Sequence, residues 1–304
     1  MASVSAGQQN LNWIGRFAPT PSGPLHFGSL VAAVGSYCVA RHKNGLWLLR
    51  IEDLDPPREV AGAATEILKT LEAFGFEWDR EVCYQSKQQN HYRAALEQLE
   101  NQKVTYRCDC SRKLVLQRNS GVYDSYCRSR ALDNGVESAT RIRFESGYES
   151  FEDRILGKCC FERPADTQDF VVQRRDGLFA YQLAVVVDDI EQNVNHVVRG
   201  ADILDSTPRQ NYLYHCLKVA PPSYYHLPLV VDAQGEKFSK SRFSPSIKCE
   251  QASRWLVEAL CHLGQKVDQN LISATPPEIL DWAITHWRTS DVGTKARVFS
   301  ALKT

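Results

Sequence analysis

The sequence predicts an α/β protein built around a parallel sheet, and three observations support that prediction. Residues 13–17 and 46–51 are short, largely apolar runs, as expected for strands that are covered on both faces. Between them, residues 25–43 carry apolar side chains at three- and four-residue spacing, which indicates a helix. Strand, helix and strand in this order make one βαβ unit, with the first turn at the carboxyl end of its first strand.

The later elements follow from the same patterns. Amphipathic spacing predicts helices over residues 60–74 and 90–102, and a helical tail from residue 248. Continuous apolar runs predict three further buried strands. These runs are 183–187, 196–199 and 227–231.

Composition limits the class of protein. The chain has 304 residues, and Lys plus Arg equals Asp plus Glu at 36 each, so only local patches could attract nucleic acid. No apolar run approaches the ~20 residues that cross a membrane, so no membrane partner is expected. Residues 1–12 lack the apolar segment of a signal peptide and predict a flexible tail. We therefore expect a cytoplasmic protein whose ten cysteines are reduced.

Two distant segments have the character of phosphate-binding elements. The run from Arg16 to Ser29 passes through a Pro/Gly turn into the first helix and places His26 and Gly28 in its first turn. Backbone N–H groups and the helix dipole favour a phosphate at such a terminus. Far downstream, residues 237–241 form a compact loop with two lysines. Together the two segments predict a nucleotide held between two walls.

Three cysteines lie within 20 residues, at Cys108, Cys110 and Cys127. Thiolates at this spacing suit a tetrahedral zinc ion, although free buried cysteines are also common. A fourth ligand is left open by the spacing. The local candidates are Tyr123, Tyr126, Asp109 and Asp124.

The same segment is rich in cations and aromatic rings, the ingredients of RNA-loop recognition. A solvated charged face is the alternative, because acidic residues dilute the positive charge. The cations are Arg112, Lys113, Arg118, Arg128, Arg130, Arg141 and Arg143.

Several motifs carry a resemblance to a known family. His26–Ser29 resembles the "HIGH" signature of class I aminoacyl-tRNA synthetases, and Lys237–Ser241 resembles their "KMSKS" loop, with Phe238 where methionine or leucine is usual. Arg16–Gly23 and Arg50–Pro56 resemble the glutamate-specific branch. The cysteine set and the short region after the lysine loop are similar to a narrower family, the glutamyl-queuosine tRNA(Asp) synthetases.

The resemblance implies a Rossmann-like parallel sheet and an activity. L-glutamate would be activated with ATP, together with Mg²⁺, and transferred to the queuosine base in the anticodon of tRNA(Asp). Two alternatives remain: a shortened glutamyl-tRNA synthetase that charges a tRNA 3′ end, and a non-catalytic module that binds RNA or nucleotide. Retention of both phosphate-facing motifs argues against the module.

The resemblance also implies roles for particular residues. His26, Gly28 and Lys240 would bind ATP, with Lys237 as an accessory charge. Arg16 would pair with the side-chain carboxylate of glutamate, assisted by Tyr181 and Arg199, and Glu52 would receive the α-ammonium group. The remaining glutamate contacts are Phe17, Ala18, Pro19 and Thr20. One structural zinc would be bound by Cys108, Cys110, Tyr123 and Cys127.

These expectations divide the chain into a tail, a catalytic domain interrupted by a zinc-bearing insertion, and a short helical region at the C-terminus. The predicted boundaries are 1–12 for the tail, 13–107 and 176–247 for the two catalytic halves, 108–175 for the insertion and 248–304 for the helical region.

Overall fold

The computed structural model describes residues 13–133, 135–161, 168–232 and 247–298. The predicted tail, residues 1–12, lies outside the described residues. Eight α-helices occur in the described ranges. They are α1 (Phe27–His42), α2 (Ala63–Ala73), α3 (Gln89–Asn101), α4 (Arg112–Asn119), α5 (Tyr181–Glu191), α6 (Thr207–Cys216), α7 (Ala252–His262) and α8 (Pro276–His286).

The strands fall into four hydrogen-bonded groups. β1 (Ile14–Phe17), β2 (Leu46–Ile51) and β3 (Cys83–Tyr84) are parallel. β4 (Thr105–Cys108), β5 (Ala139–Ile142) and β8 (Phe170–Gln173) are antiparallel. β6 (Ser150–Asp153) and β7 (Gly157–Cys160) form a hairpin, and β6 pairs with β10 (Ser223–Leu227), which pairs with β9 (His196–Gly200). β11 (Val230–Val231) pairs with β12 (Arg297–Val298).

The predicted βαβ unit is confirmed, and the two parallel groups meet beside it. Ile14 of β1 pairs with Leu46 of β2 in parallel register. On its other side, Ile14 accepts a hydrogen bond from the backbone N–H of Asn195 at 3.1 Å, just before β9. This contact aligns β1 with β9, so the carboxyl ends of the parallel strands lie at one edge.

Two hydrophobic cores support this arrangement. In the first, α1 packs between the β1–β2 strands and the C-terminal helices α7 and α8, with Trp47 fully buried. The second core lies among α3, α5 and α6 and the strands β5 and β8. The predicted helical tail is therefore integrated with the catalytic sheet through α1.

The strand predicted over residues 183–187 is wrong, because these residues form the middle of α5. A short run of Leu, Ala and Val has no periodicity that separates a buried strand from a buried helix. All five residues are buried because α5 is covered by α3, α6 and β8. Tertiary packing overrides the β propensity of the three valines.

Other boundaries shift for local reasons. α1 begins at Phe27 and not at Leu25, since His26 is its N-cap. The helix predicted from residue 60 begins at Ala63, because Gly62 has φ of 81° and stands before the first turn. The strand predicted over 227–231 is interrupted at Pro228, which has no N–H to donate.

The hairpin β6–β7 lies in the sequence range predicted as the insertion, and yet it is hydrogen bonded to β10 of the parallel group. Tyr224 of β10 is in register with Asp153 of β6. The predicted domain division remains a prediction, and this pairing shows that the range 108–175 contributes to the second parallel group.

Candidate active site

The first predicted segment runs from the end of β1 toward α1. The ring of Phe17 is buried and stacks on Trp47 with ring centroids 6.1 Å apart, so Phe17 faces the core and can reach a ligand only through its backbone. The carbonyl of Pro19 accepts a hydrogen bond from the backbone N–H of Glu52 at 3.0 Å. This bond holds the loop that contains Ala18 and Thr20 against the end of β2.

A buried cluster of charges lies under this loop. Arg50 is fully buried, and its Nη2 is 2.7 Å from Asp189 Oδ1 and 4.0 Å from Glu52 Oε1. Arg16 approaches the same Asp189 Oδ1 with Nε at 3.1 Å, and Asp188 lies 3.8 Å from Arg50 Nε. The two arginines hold the pKa of Asp189 below its usual value despite its burial. Two cations and three carboxyl groups therefore share one desolvated site.

Glu52 is the member of this cluster that reaches the cleft. Burial raises its pKa to about 7, although the charges of Arg50 and Arg16 oppose the shift. Its side chain keeps 11% exposure. An approaching ammonium group would favour the ionised carboxylate, so Glu52 suits a cationic ligand group.

Tyr181, the first residue of α5, stands at the same place. Burial and the charge of Glu52 raise the pKa of its hydroxyl to about 12, although Arg199 and Arg16 oppose the shift. Tyr181, Glu52 and Thr20 line one cleft. The fold thus brings together residues that are separated by up to about 180 positions in the sequence.

Arg199 lies in β9 and is 5% exposed. Its Nε donates to His226 Nε2 at 3.0 Å, Nη1 donates to Gln210 Oε1 at 2.8 Å, and Nη2 donates to Thr207 Oγ1 at 2.8 Å. Burial lowers the pKa of His226. The hydrogen-bond partners that the described residues give Arg199 are therefore neutral, and its charge can act on an anionic ligand.

His26 and Gly28 form the start of α1. His26 has an extended backbone, and its Nδ1 accepts a hydrogen bond from the backbone N–H of Ser29 at 3.3 Å, which caps the helix. A Cβ on Gly28 would lie 3.1 Å from His26 Cε1. Gly28 therefore makes room for the imidazole itself, a reason that was not evident from the sequence.

The second predicted phosphate-binding element is the loop formed by residues 237–241. Lys237 and Lys240, with Phe238 between them, lie outside the described residues.

The three predicted cysteines converge. Their sulfur atoms all lie within 4.8 Å of one another, with Cys110 Sγ and Cys127 Sγ 3.5 Å apart. The hydroxyl of Tyr123 is 3.4 Å from Cys108 Sγ and accepts a hydrogen bond from the backbone N–H of Cys127 at 3.1 Å. Three thiols in this arrangement could hold a metal ion.

A cleft of about 1460 Å³ joins the two sites. Its lining includes Thr20, Glu52 and Tyr181 as well as Cys110 and Tyr123. Cations are prominent along its walls. They are Arg58, Arg112, Arg141, Arg174, Arg175 and Arg209.

Sequence reasoning missed most of the buried charge cluster. The motif Arg50–Pro56 gives Arg50 no role of its own, and no sequence pattern assigns a role to Asp188 or Asp189. The available signal was a pair of acidic residues that directly follows an apolar run, which is unusual unless cations meet them inside the fold.

Helix length also bears on the expected class of protein. Within the described ranges, no helix is both long and apolar enough to span a lipid bilayer.

Comparison with known proteins agrees with this geometry. The family described as tRNA synthetases class I (E and Q), catalytic domain, matches residues 14–264. The glutamyl-Q tRNA(Asp) synthetase of Pseudomonas syringae pv. tomato is 50% identical over 280 residues, which are 91% of this chain and 94% of that protein. The protein of the same name from Ectopseudomonas mendocina is 49% identical, again over 91% and 94%.

Solved structures share the fold at lower sequence identity. A glutamate–tRNA synthetase from Elizabethkingia anophelis has a TM-score of 0.79 and 23% identity, covering 95% of this chain and 68% of that one. A glutamate tRNA ligase from Elizabethkingia meningosepticum, solved in complex with its amino acid, has the same TM-score and identity. The chain belongs to the class I tRNA synthetases for glutamate and glutamine, a family of ligases, and within them to the glutamyl-Q tRNA(Asp) synthetase family.

Proposed function

We propose that this protein activates L-glutamate with ATP and transfers the glutamyl group to the queuosine base in the anticodon of tRNA(Asp). The observation that carries the proposal is the convergence of Arg16, Glu52 and Arg199 around Tyr181, and Glu52 and Tyr181 line an arginine-rich cleft. The relatives named above, which match nearly the full length of both chains, support the choice of acceptor. We also propose that the protein acts in the cytoplasm.

The pocket is complementary to a substrate with two carboxylates and one amine. Arg199, whose direct hydrogen-bond partners in the described residues are neutral, supplies a cation for a carboxylate, and its planar fork suits bidentate binding. Arg16 adds a second cation and is held in place by Asp189. Glu52 receives the ammonium group. Ala18 and Thr20 complete the wall next to the cleft.

The activation step needs charge stabilisation more than covalent help. An oxygen of the glutamate α-carboxylate attacks the α-phosphorus of ATP, the bond to the β-phosphate breaks, and pyrophosphate leaves. Mg²⁺, when bound, would neutralise part of the charge on the phosphates. His26 Nε2 and the N-terminus of α1 stabilise the charge on the α-phosphate. By the resemblance, Lys240 neutralises the departing pyrophosphate, and Lys237 assists it.

In the second step, a hydroxyl of the queuosine cyclopentenediol attacks the glutamyl carbonyl, the bond from that carbonyl to the AMP phosphate breaks, and the hydroxyl proton passes to the phosphate of the departing AMP. The cleft volume of about 1460 Å³ exceeds the roughly 300–1,000 Å³ of ordinary small-ligand sites, and its arginines offer partners for phosphates. In the predicted insertion, Arg118 lies over the ring of Tyr126, with its Cζ 3.6 Å from the ring centroid. Arginines and aromatic rings are the kinds of side chain that bind unpaired bases.

The acceptor is tested with an isolated anticodon stem-loop of tRNA(Asp) that carries queuosine. We expect radiolabelled glutamate on this stem-loop and none on the same stem-loop with guanosine at that position. Label found only on a tRNA 3′ adenosine would instead support a shortened glutamyl-tRNA synthetase. Absence of ATP–pyrophosphate exchange with glutamate would support a non-catalytic binding module.

We also propose that Cys108, Cys110, Cys127 and Tyr123 bind one structural zinc ion. Four ligand atoms about 2.3 Å from a zinc ion lie ~3.8 Å apart. The sulfurs of Cys110 and Cys127 are 3.5 Å apart, and all three sulfurs lie within 4.8 Å of one another. Tyr123 is favoured over Asp109 as the fourth ligand, because the Asp109 carboxylate is paired with Arg130 at 2.9 Å. Bound zinc would hold the antiparallel strands and α4 in one arrangement.

Removal of single thiols tests the zinc site. We expect about one zinc per chain in the parent protein, and loss of zinc in Cys108→Ser and Cys127→Ser, measured by elemental analysis. Cys159→Ser is the matched control, since its sulfur lies in the β6–β7 hairpin outside the cluster. Full retention of zinc in the first two variants would refute the site.

The raised pKa of Glu52 predicts a dependence of glutamate binding on pH. As the pH falls through about 7, Glu52 takes up a proton and loses the charge that attracts the ammonium group, so the affinity for glutamate falls. At pH 7, binding should release roughly half a proton. Calorimetry in buffers of different ionisation enthalpy measures this release. Glu52→Gln should abolish it, and an unchanged release in that variant would contradict the assignment.

A further inference from the structure

Arg199 is held by a chain of buried polar groups that begins on a different strand pair. His226 of β10 is fully buried, and Asp153 of β6 is 2% exposed. The Nδ1 of His226 lies 2.7 Å from Asp153 Oδ2, and its Nε2 lies 3.0 Å from Arg199 Nε. The imidazole therefore bridges a carboxylate and a guanidinium with no exposure to solvent.

The hydrogen bonds decide which tautomer His226 adopts. Asp153 accepts backbone N–H bonds from Ile155 and Leu156, both at 2.9 Å, and from His226 itself at 3.2 Å. Hydrogen bonds with these donors and with His226 hold the pKa of the Asp153 carboxyl below its usual value, so it is ionised and only accepts. The proton of the imidazole is therefore on Nδ1, facing Asp153.

The unprotonated Nε2, on the opposite side of the His226 ring, can then accept a hydrogen bond. Arg199 donates its Nε–H to the bare Nε2, and the Thr207 hydroxyl, 3.4 Å from Nε2, also accepts a hydrogen bond from Arg199 Nη2. With the bond to Gln210, the described residues use one N–H on each of the three guanidinium nitrogens. Arginine has five N–H groups, so one remains on each terminal nitrogen for a substrate carboxylate.

We propose that Asp153 and His226 are positioning residues, which select one tautomer and thereby aim the guanidinium of Arg199 at the glutamate carboxylate. The inference rests on the glutamate site proposed above and extends it to the β6–β7 hairpin. The segment between the cysteine cluster and α5 thus takes part in amino-acid selection through one carboxylate.

Two substitutions of one residue separate positioning from packing. In His226→Asn the amide occupies the place of Nδ1, so it keeps the contact with Asp153 but leaves Arg199 Nε without its acceptor. In His226→Gln the longer side chain brings an amide oxygen to the place of Nε2, so it keeps the acceptor. We expect His226→Asn to raise the KM for glutamate about 10-fold or more, and His226→Gln to raise it less than about threefold.

The measurement is ATP–pyrophosphate exchange with KM determined separately for glutamate and for ATP, together with the thermal midpoint. The KM for ATP should stay within about twofold of the parent in both variants. His286→Asn, on α8, is the control for loss of a histidine outside this chain of contacts. Equal KM values for glutamate in the Asn and Gln variants, or an equal rise in both substrates' KM, would overturn the proposal.

A third variant serves if His226→Asn does not fold. Asp153→Asn can donate its amide N–H to Nδ1, which favours the other tautomer and turns an Nε2–H toward Arg199. The same selective rise in the KM for glutamate is expected, and an unchanged KM would refute the positioning role. Arg199→Ala is measured in parallel. If this variant leaves the KM for glutamate unchanged, the proposed glutamate site itself is wrong. If the KM rises in Arg199→Ala but not in the His226 and Asp153 variants, the glutamate site stands and only the positioning role is refuted.

Discussion

Replacing Arg199 by alanine should lower kcat/KM for glutamate activation by roughly 30-fold to several thousand-fold, which corresponds to about 2–5 kcal/mol. The reason is that Arg199 is only 5% exposed and that its hydrogen-bond partners in the described residues are neutral. A carboxylate that enters this site without a cation loses its hydration and gains no compensating charge. Pyrophosphate exchange with saturating ATP and varied glutamate measures the effect.

Alanine variants of two further arginines, Arg16 and Arg93, are compared with Arg199→Ala. Arg16→Ala should also impair glutamate activation, because its cation is shared between Asp189 and the pocket. Arg93→Ala, on the exposed face of α3 where Arg93 bonds to Asn90, should match the parent. Parental activity in both Arg16→Ala and Arg199→Ala would show that neither arginine binds the substrate carboxylate.

Replacing His26 by asparagine should lower the rate of activation by about 10²- to 10³-fold with little loss of stability, as expected when a donor to a developing charge is removed. Asparagine is a strong N-cap residue and can accept the hydrogen bond from Ser29 N–H that His26 Nδ1 now accepts. It cannot place a donor where the imidazole places Nε2. The substitution therefore removes the proposed phosphate contact and keeps the start of α1.

The experiment measures both the thermal midpoint of unfolding and kcat, because the first reports the helix cap and the second reports the phosphate contact. His26→Ala loses both the cap and the phosphate contact, so it should also lose about 0.5–2 kcal/mol of stability. If His26→Asn were as active as the parent, His26 would be a helix cap without a role in activation.

Part of the site could be read from the sequence because its determinants are local. The turn before α1, with His26 and Gly28, is built from consecutive residues, and the spacing of Cys108, Cys110 and Cys127 already limits how far apart their sulfurs can be. The first βαβ unit was predictable for the same reason. Apolar periodicity over a 16-residue helix and its two flanking strands is a strong signal.

What the sequence could not determine involves contacts between distant segments. Residues 183–187 read as a strand because five apolar residues have no periodicity, and only packing against α3 and α6 makes them helical. The encounter of Asp188 and Asp189 with Arg50 depends on that helix, since a strand would have turned one of the two acidic residues to the opposite face.

The sequence by itself determined the α/β fold class, the turn that leads into α1 and the cysteine cluster, because each depends on residues near one another in the chain. Tertiary structure alone decided which charges are buried together and which hydrogen bonds orient them. Asp153 and His226 are 73 positions apart, and no local pattern links them; parallel pairing of β6 with β10 brings the carboxylate to the imidazole. Burial at that junction lowers the pKa of His226, and the hydrogen bond to Asp153 then places the single ring proton on Nδ1, which leaves Nε2 to accept from Arg199.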